Sequence, residues 1–175
     1  FWDKNSIAVG LSSGFIEPLE STSTHLFQRS VLHLVQNFPF SGFSDTLANY
    51  YNSLSNKELE YARDFVILHY KLNERPEAFW RDRAAMSVPD SLQERIDLFR
   101  SSGTVYQGPG ELFAVDSWMQ VMLGQRLKPE GWHRLGALMN REEIGRVFDG
   151  LKKTVDHTVA QMMTHDAFLA QYVSA

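Results

Sequence analysis

Apolar residues recur at three- and four-residue steps along most of this chain, a spacing that predicts amphipathic helices. The first predicted helix begins near Ser21 to Ser23 and runs to about Asn37, and Pro39 ends it. The spacing of residues 41–54 predicts a second helix. The apolar face of the first helix comprises Leu26, Phe27, Val31, Leu34, Val35 and Phe38.

A capping-box pattern, in which a hydroxyl residue is followed three positions later by a carboxylate, occurs at Ser55 to Glu58. It predicts that a separate helix begins there and runs to about Leu72. A short helical turn is expected around Phe79 and Trp80. The residues expected to be buried on the capping-box helix are Leu59, Ala62, Phe65, Val66 and His69.

The second half of the chain continues the helical pattern. Helices are predicted over residues 89–100, 117–124 and 141–163, with a final turn over 166–172. A loop rich in Ser, Gly and Pro separates the first two, over residues 101–114. The inward positions of the first two helices are Leu92, Ile96, Phe99, Trp118, Val121 and Met122, and the long helix carries a stripe of Ile144, Val147, Phe148, Leu151, Val155, Val159 and Met162.

Strand signals are few, so the predicted class is mainly α. Residues 5–11 indicate a short buried strand or extended segment near the N-terminus, ended by residues 12–14. No shift in composition marks a second domain, so residues 1–175 are expected to form a single helical domain. The chain begins Phe-Trp-Asp-Lys without a Met, which suggests a piece of a longer protein, although a processed or incomplete chain would look the same.

Composition narrows the function classes. A hydrophobic fraction of 43% indicates a globular protein, and a net charge of -4 argues against nucleic-acid binding. The chain has no cysteine, which excludes disulfides and thiolate metal sites and fits a cytoplasmic protein. No apolar run reaches the roughly 18 residues of a membrane span.

The densest chemistry lies in residues 14–25, where Glu17 and Glu20 flank Pro18 and a run of hydroxyl residues follows. This is the layout of a loop entering a helix N-terminus, whose free N–H groups favour an anion. Glu20 could then act as a general base or polarise a substrate N–H. Alternatively, Glu20 only complements the helix dipole, with Ser21 or Thr22 as the N-cap.

Other signals of chemistry are weak. The six histidines show no metal-ligand spacing, so no metal site is expected. Neither a Gly-x-Ser-x-Gly elbow nor a Gly-rich phosphate loop occurs. Five aromatics in the middle of the chain could line an apolar pocket for a flat substrate, or they could simply fill the core: Trp80, Tyr106, Phe113, Trp118 and Trp132.

Residues 5–25 resemble a signature of the flavin-dependent halogenases, the tryptophan halogenase family, and most of the chain resembles the C-terminal part of such an enzyme. Weaker support comes from residues 62–70, from 117–124 with Pro129, and from 168–172. The resemblance implies an enzyme in which reduced FAD and oxygen convert chloride or bromide into hypohalous acid. That acid reaches a lysine beside an electron-rich aromatic substrate.

Carried over by motif position, the resemblance makes Glu20 the catalytic glutamate, which also contacts the substrate, with Ser21 beside it. Thr22 and Ser23 would offer backbone N–H groups to the halide, and Thr24 would contact the flavin. Tyr106, Phe113 and Trp118 are the further candidate substrate contacts. The implied partners are an aromatic small molecule and a flavin reductase that forms no stable complex, and a homodimer is a further expectation.

Three departures from the family pattern matter. The flavin-binding region and the catalytic lysine belong to a part of the family that does not match this chain, so the isolated chain is expected to be inactive. The insertion that clamps tryptophan is reduced to residues 106–113, so the substrate is expected to be an indole, a phenol or a carrier-bound aromatic. Position 23 is Ser where many relatives have Gly, and the backbone donor survives unless that position needs a positive φ.

Two other functions are compatible with the sequence. A flavin monooxygenase relative would keep the architecture but hydroxylate its substrate. A helical interaction module would have no chemistry of its own.

Overall fold

In a computed structural model that describes residues 1–173, the chain is mainly α, as its periodicity predicts. The described part contains a two-stranded sheet and seven α-helices. These are β1 Trp2–Asp3, β2 Ser6–Ile7, α1 Thr22–Gln36, α2 Asp45–Lys71, α3 Ala78–Ala85, α4 Asp90–Ser102, α5 Val115–Gly124, α6 Arg141–Gln161 and α7 His165–Tyr172, with 3-10 turns at Gly10–Ser12, Pro18–Glu20 and Arg134–Leu138.

The predicted N-terminal strand is shorter than expected, and the expected burial is wrong, because none of residues 5–11 is buried. β1 and β2 form an antiparallel hairpin in which Trp2 pairs with Ile7. The Trp2 backbone N–H donates to the Asn52 side chain at 2.7 Å, and the Asn52 amide returns a bond to the Trp2 carbonyl at 2.9 Å. These two bonds, together with the burial of the Trp2 ring, fix the hairpin against α2.

The capping-box prediction is wrong, because α2 runs without a break through residues 45–71. Ser55 lies buried inside this helix, and the Glu58 carboxylate is turned toward α1. It accepts hydrogen bonds from Arg29 Nε at 2.7 Å and pairs with His33 Nε2 at 3.0 Å. The segment contains neither Pro nor Gly, so nothing interrupts the helix once a partner outside it holds Glu58.

The main core lies where α4 and α5 pack against the second half of α2. Of the residues predicted on α2, Leu59 and His69 are half-buried and the other three are buried. The predicted inward positions of α4 and α5 are buried, apart from the half-buried Val121. The buried members of this core are Phe65, Leu68, Leu92, Ile96, Phe99, Phe113, Trp118 and Met122.

The chain divides into two compact units, and the first comprises Phe1–Trp132. In the second, Asn140 and Glu143 form a reciprocal capping box at the start of α6, with both hydrogen bonds at 2.9 Å. Helix α6 starts as predicted and ends two residues before the predicted Met163. Its apolar stripe lies on the surface, with 65% of Phe148 exposed. A single domain over the whole chain stays a prediction.

No helix in the described residues combines the length and apolar character that a membrane span requires.

Candidate functional site

The loop that enters α1 is bent by one residue in the left-handed conformation. Ser21 has φ 55° and ψ 32°, directly after the 3-10 turn Pro18–Glu20 and directly before the first residue of α1. It occupies the N-cap position, but its side chain makes no capping hydrogen bond. The alternative that Ser21 caps the helix through its hydroxyl is therefore not what the structure shows.

The first turn of α1 has the features of an anion site. Its leading N–H groups, from Thr22, Ser23 and Thr24, have no acceptor within the helix by geometry, and no acid lies in that turn. The hydroxyl of Thr22 is buried and has no hydrogen-bond partner among the described residues. A helix N-terminus with these features favours a bound anion over a neutral ligand.

Ser23 has no positive φ, because that conformation falls on Ser21 instead. A glycine is therefore not required at position 23, and its backbone N–H remains in the helical geometry that an anion site needs.

Glu20 lies on the wall of a cleft of about 400 Å³. The ring of Phe113 faces the same cleft and stacks on Phe65, with ring centroids 3.7 Å apart. The structure thus brings together an acid and an aromatic wall, at the end of the loop that leads into α1. The lining residues are Glu20, Phe65, His69, Phe113, Ser117, Gln120, Val121, Gly124 and Gln125.

Two residues of α2 contact the loop of residues 17–21, which carries Glu17 and Glu20 and is called the acidic loop below. His69 Nε2 lies 3.5 Å from Glu20 Oε1, and His69 Nδ1 donates to the carbonyl of Phe65 at 2.8 Å. The Tyr70 hydroxyl donates to the Glu17 carboxylate, at 2.5 and 2.6 Å from its two oxygens. That bond to Glu17 raises the pKa of Tyr70, and burial and the charge of Glu17 add to the effect.

Tyr106 and Trp118 lie in a different environment, around a buried ion pair that sequence reasoning missed. Arg95 donates to Glu111 at 2.7 Å, and the indole N–H of Trp118 donates to the other Glu111 oxygen at 2.8 Å. The Tyr106 carbonyl accepts from Arg95, and its ring lies 4.2 Å from the guanidinium. Trp118 is fully buried, so substrate contact by these two aromatics stays a prediction.

The buried pair fixes the loop of residues 103–114. The Gly108 N–H donates to Glu111 at 2.7 Å, and a Cβ on Gly108 would lie 2.6 Å from the Tyr61 hydroxyl. One signal of this network was in the sequence, because Arg95 falls on the same helical face as Leu92 and Phe99. The partner of Arg95, Glu111, lies in a loop 16 residues away, and no helical spacing predicts that pairing.

The described residues contain no group of three or more acidic, His or Cys side chains arranged to hold a metal ion.

The fold and the site together place an acid on an aromatic cleft within a helical scaffold. The family model for tryptophan halogenase matches residues 1–141. The chain therefore belongs to the tryptophan halogenase family.

Solved structures agree with this assignment. Xcc4156, a flavin-dependent halogenase from Xanthomonas campestris, superposes with a TM-score of 0.94 at 45% identity over 98% of this chain and 35% of that one. BrvH, a flavin-dependent halogenase from Brevundimonas sp. BAL3, gives a TM-score of 0.90 at 36% identity, over 97% of this chain and 35% of that one.

A curated relative is the tryptophan 6-halogenase SttH from Streptomyces toxytricini. It is 38% identical over 100 residues, which are 57% of this chain and 19% of that protein. The matched residues thus span about a fifth of this relative, and the chain spans 35% of each of the two solved halogenases.

Proposed function

We propose that this chain is the C-terminal substrate-binding region of a flavin-dependent halogenase that chlorinates or brominates an electron-rich aromatic molecule. The observation that carries the proposal is the position of Glu20, on an aromatic cleft and two residues before a helix N-terminus suited to an anion. In the complete enzyme, reduced FAD, oxygen and a halide would supply hypohalous acid. The flavin-binding region and the catalytic lysine would lie in a part of the enzyme outside this chain.

The chain's own residues would perform three tasks. The Glu20 carboxylate would accept the proton that the ring carbon loses, or orient an N–H of the substrate. The ring of Phe113 would hold the flat substrate by contact with its face. The N–H groups of Thr22 and Ser23 would hold the halide, and the buried, unpartnered Thr22 hydroxyl fits such an anion. Ser21 would set the turn between acid and halide, and Thr24 would face the flavin.

The lining of the cleft indicates a neutral aromatic substrate. Among the described lining residues, the ionisable side chains are Glu20 and His69, and neither Lys nor Arg is present to bind a carboxylate. The part of the lining that this chain supplies would give the carboxylate of a free amino acid no Lys or Arg partner. An indole or a phenol is therefore the substrate class that we propose.

The central test is Glu20→Gln in the complete enzyme, which keeps the side-chain shape and removes the carboxylate. We expect halogenation of indole to fall by about 10²-fold or more, because that is the contribution typical of a positioned acid or base. Glu60→Gln on the exposed side of α2 is the matched control and should leave the rate unchanged. Normal turnover by Glu20→Gln would exclude Glu20 from the reaction.

Halide dependence separates this proposal from a hydroxylating flavin monooxygenase. We expect halogenated product by mass spectrometry only when chloride or bromide is present. A hydroxylated product formed equally with and without halide would support the monooxygenase instead.

Further properties of the whole protein follow from the same proposal. It would be an oxidoreductase supplied with FADH2 by a separate flavin reductase, without a stable complex, and it would work in the cytoplasm. The isolated chain would be inactive. The exposed apolar stripe of α6 favours a second role, in which this helix binds another protein. A homodimer of the enzyme is one such interaction. Analytical sedimentation of the complete enzyme tests whether it forms this homodimer.

A further inference from the structure

The motif of residues 62–70 ends in two adjacent residues, His69 and Tyr70, which have no role in the function proposed so far. Each of them holds one of the two carboxylates of the acidic loop. His69 lies against Glu20, and Tyr70 binds Glu17. Neighbouring residues on a helix project about 100° apart, so one rigid element reaches both carboxylates at once.

The imidazole of His69 is fixed in orientation. A carbonyl oxygen can only accept, so the bond to Phe65 places a proton on Nδ1. The ring is also held edge-on against Phe65, with centroids 5.0 Å apart. The remaining nitrogen, Nε2, therefore faces Glu20 Oε1 at 3.5 Å, and it can donate to that carboxylate only in the imidazolium form, in which both ring nitrogens carry a proton.

Tyr70 fixes the other end of the same short turn. Its ring stacks on Trp80 at 5.6 Å, and its hydroxyl binds both oxygens of Glu17. Pro18 follows Glu17 and restricts the backbone of the 3-10 turn that ends at Glu20. Holding Glu17 therefore limits where the Glu20 carboxylate can lie.

We propose that His69 and Tyr70 are positioning residues that hold the Glu20 carboxylate toward the cleft, His69 by direct contact and Tyr70 through Glu17. This inference rests on the proposed function of Glu20. Reactions that depend on geometry lose about 10²-fold in rate for a displacement of 1 Å, so a small release of the turn has a measurable effect.

The test uses three variants in the complete enzyme. His69→Asn keeps a donor near the Phe65 carbonyl but is too short to reach Glu20. His69→Gln places an amide at the reach of Nε2. Tyr70→Phe keeps the stacked ring and removes only the bond to Glu17, and Tyr50→Phe, an exposed tyrosine near the start of α2, is its control.

We expect His69→Asn and Tyr70→Phe each to lower kcat for indole halogenation by about tenfold, with little change in KM. His69→Gln should recover most of the loss. When His69→Asn is combined with Glu20→Gln, no further loss is expected, because the effect of His69 passes through that carboxylate. Wild-type kcat in both single variants, or losses that multiply with Glu20→Gln, would overturn the proposal.

A crystal structure of the His69→Asn enzyme gives a readout that does not depend on activity. We expect the Glu20 carboxylate to leave its place on the cleft by about 0.5 Å or more, the tolerance within which a catalytic group has to be held. If the wild-type enzyme halogenates nothing, the proposed function fails while this displacement still tests the positioning. If His69→Asn does not fold, the Tyr70→Phe structure and kinetics decide in its place. An unmoved Glu20 carboxylate contradicts the inference.

Discussion

Removal of the Glu111 carboxylate is expected to be among the most damaging single changes in the first unit. Its oxygens accept three hydrogen bonds, from Arg95, the Gly108 N–H and the Trp118 indole. The Glu111→Ala variant would leave the Arg95 guanidinium buried, with 5% of that residue exposed. Arg95 would retain only the carbonyl of Tyr106 and the neighbouring aromatic rings.

The cost follows from this geometry. Breaking a buried ion pair by removing one partner typically costs about 3–5 kcal/mol, because the other charge stays buried without compensation. For a chain of this size, 1 kcal/mol shifts the melting temperature by about 2–4 °C, so Glu111→Ala should melt about 6–20 °C lower. An exposed pair provides the comparison. Asp97→Ala removes a partner of the exposed Arg100, and such surface pairs contribute about 0–1 kcal/mol.

The assay is urea and thermal unfolding of the chain, monitored by far-UV circular dichroism and by tryptophan fluorescence. The double variant Glu111→Leu with Arg95→Met should recover only the part of the loss that comes from the unpaired Arg95 charge, because the Trp118 indole and the Gly108 N–H would still lack their acceptor. A Glu111→Ala variant no less stable than Asp97→Ala would refute this reasoning.

Two further expectations concern a close contact and a titrating group. Gly108→Ala should destabilise the chain by about 1–3 kcal/mol, because the new Cβ would meet the Tyr61 hydroxyl at 2.6 Å. Gly145→Ala, in open space within α6, should instead stabilise by about 0.5–1 kcal/mol, and equal effects in urea unfolding would contradict the contact. The pKa of Tyr70 is raised above its ordinary 10.0, so its protonated form is favoured in the folded state. The stability from its bond to Glu17 should be fully present below about pH 10 and lost as the pH rises through the folded pKa. The difference in unfolding free energy between wild type and Tyr70→Phe should therefore shrink above that pH, and a constant difference would exclude the bond as its source.

Local patterns in the sequence predicted the helices well where the signal is the spacing of apolar residues along one element. The inward faces of α4 and α5 follow from spacing alone, because each stripe packs on α2. The capping box at Ser55 failed for the opposite reason. Its acid, Glu58, bonds to Arg29 and His33 on another helix, and such a partner leaves no mark in the local sequence.

In the candidate site, too, local features could be predicted from the sequence and long-range contacts could not. The bend before α1 and the position of Glu20 could be expected from one short motif, since all its parts are contiguous. The contacts of that motif with His69 and Tyr70 join residues 49 and 53 positions apart. Neither helical spacing nor composition encodes such a distance, so the positioning of the acid could be found only in three dimensions.

The unbroken course of α2 has a consequence for how this family can vary. The helix is about 40 Å long and contacts the hairpin at Asn52, α1 at Glu58 and the acidic loop at His69. Deleting one residue between Glu58 and His69 would rotate everything beyond it by about 100° and withdraw the imidazole from Glu20. The count of residues between those contacts is therefore fixed by helical geometry. Length changes next to α2 are therefore expected in the connections that flank it, residues 37–44 and 72–77, rather than within it.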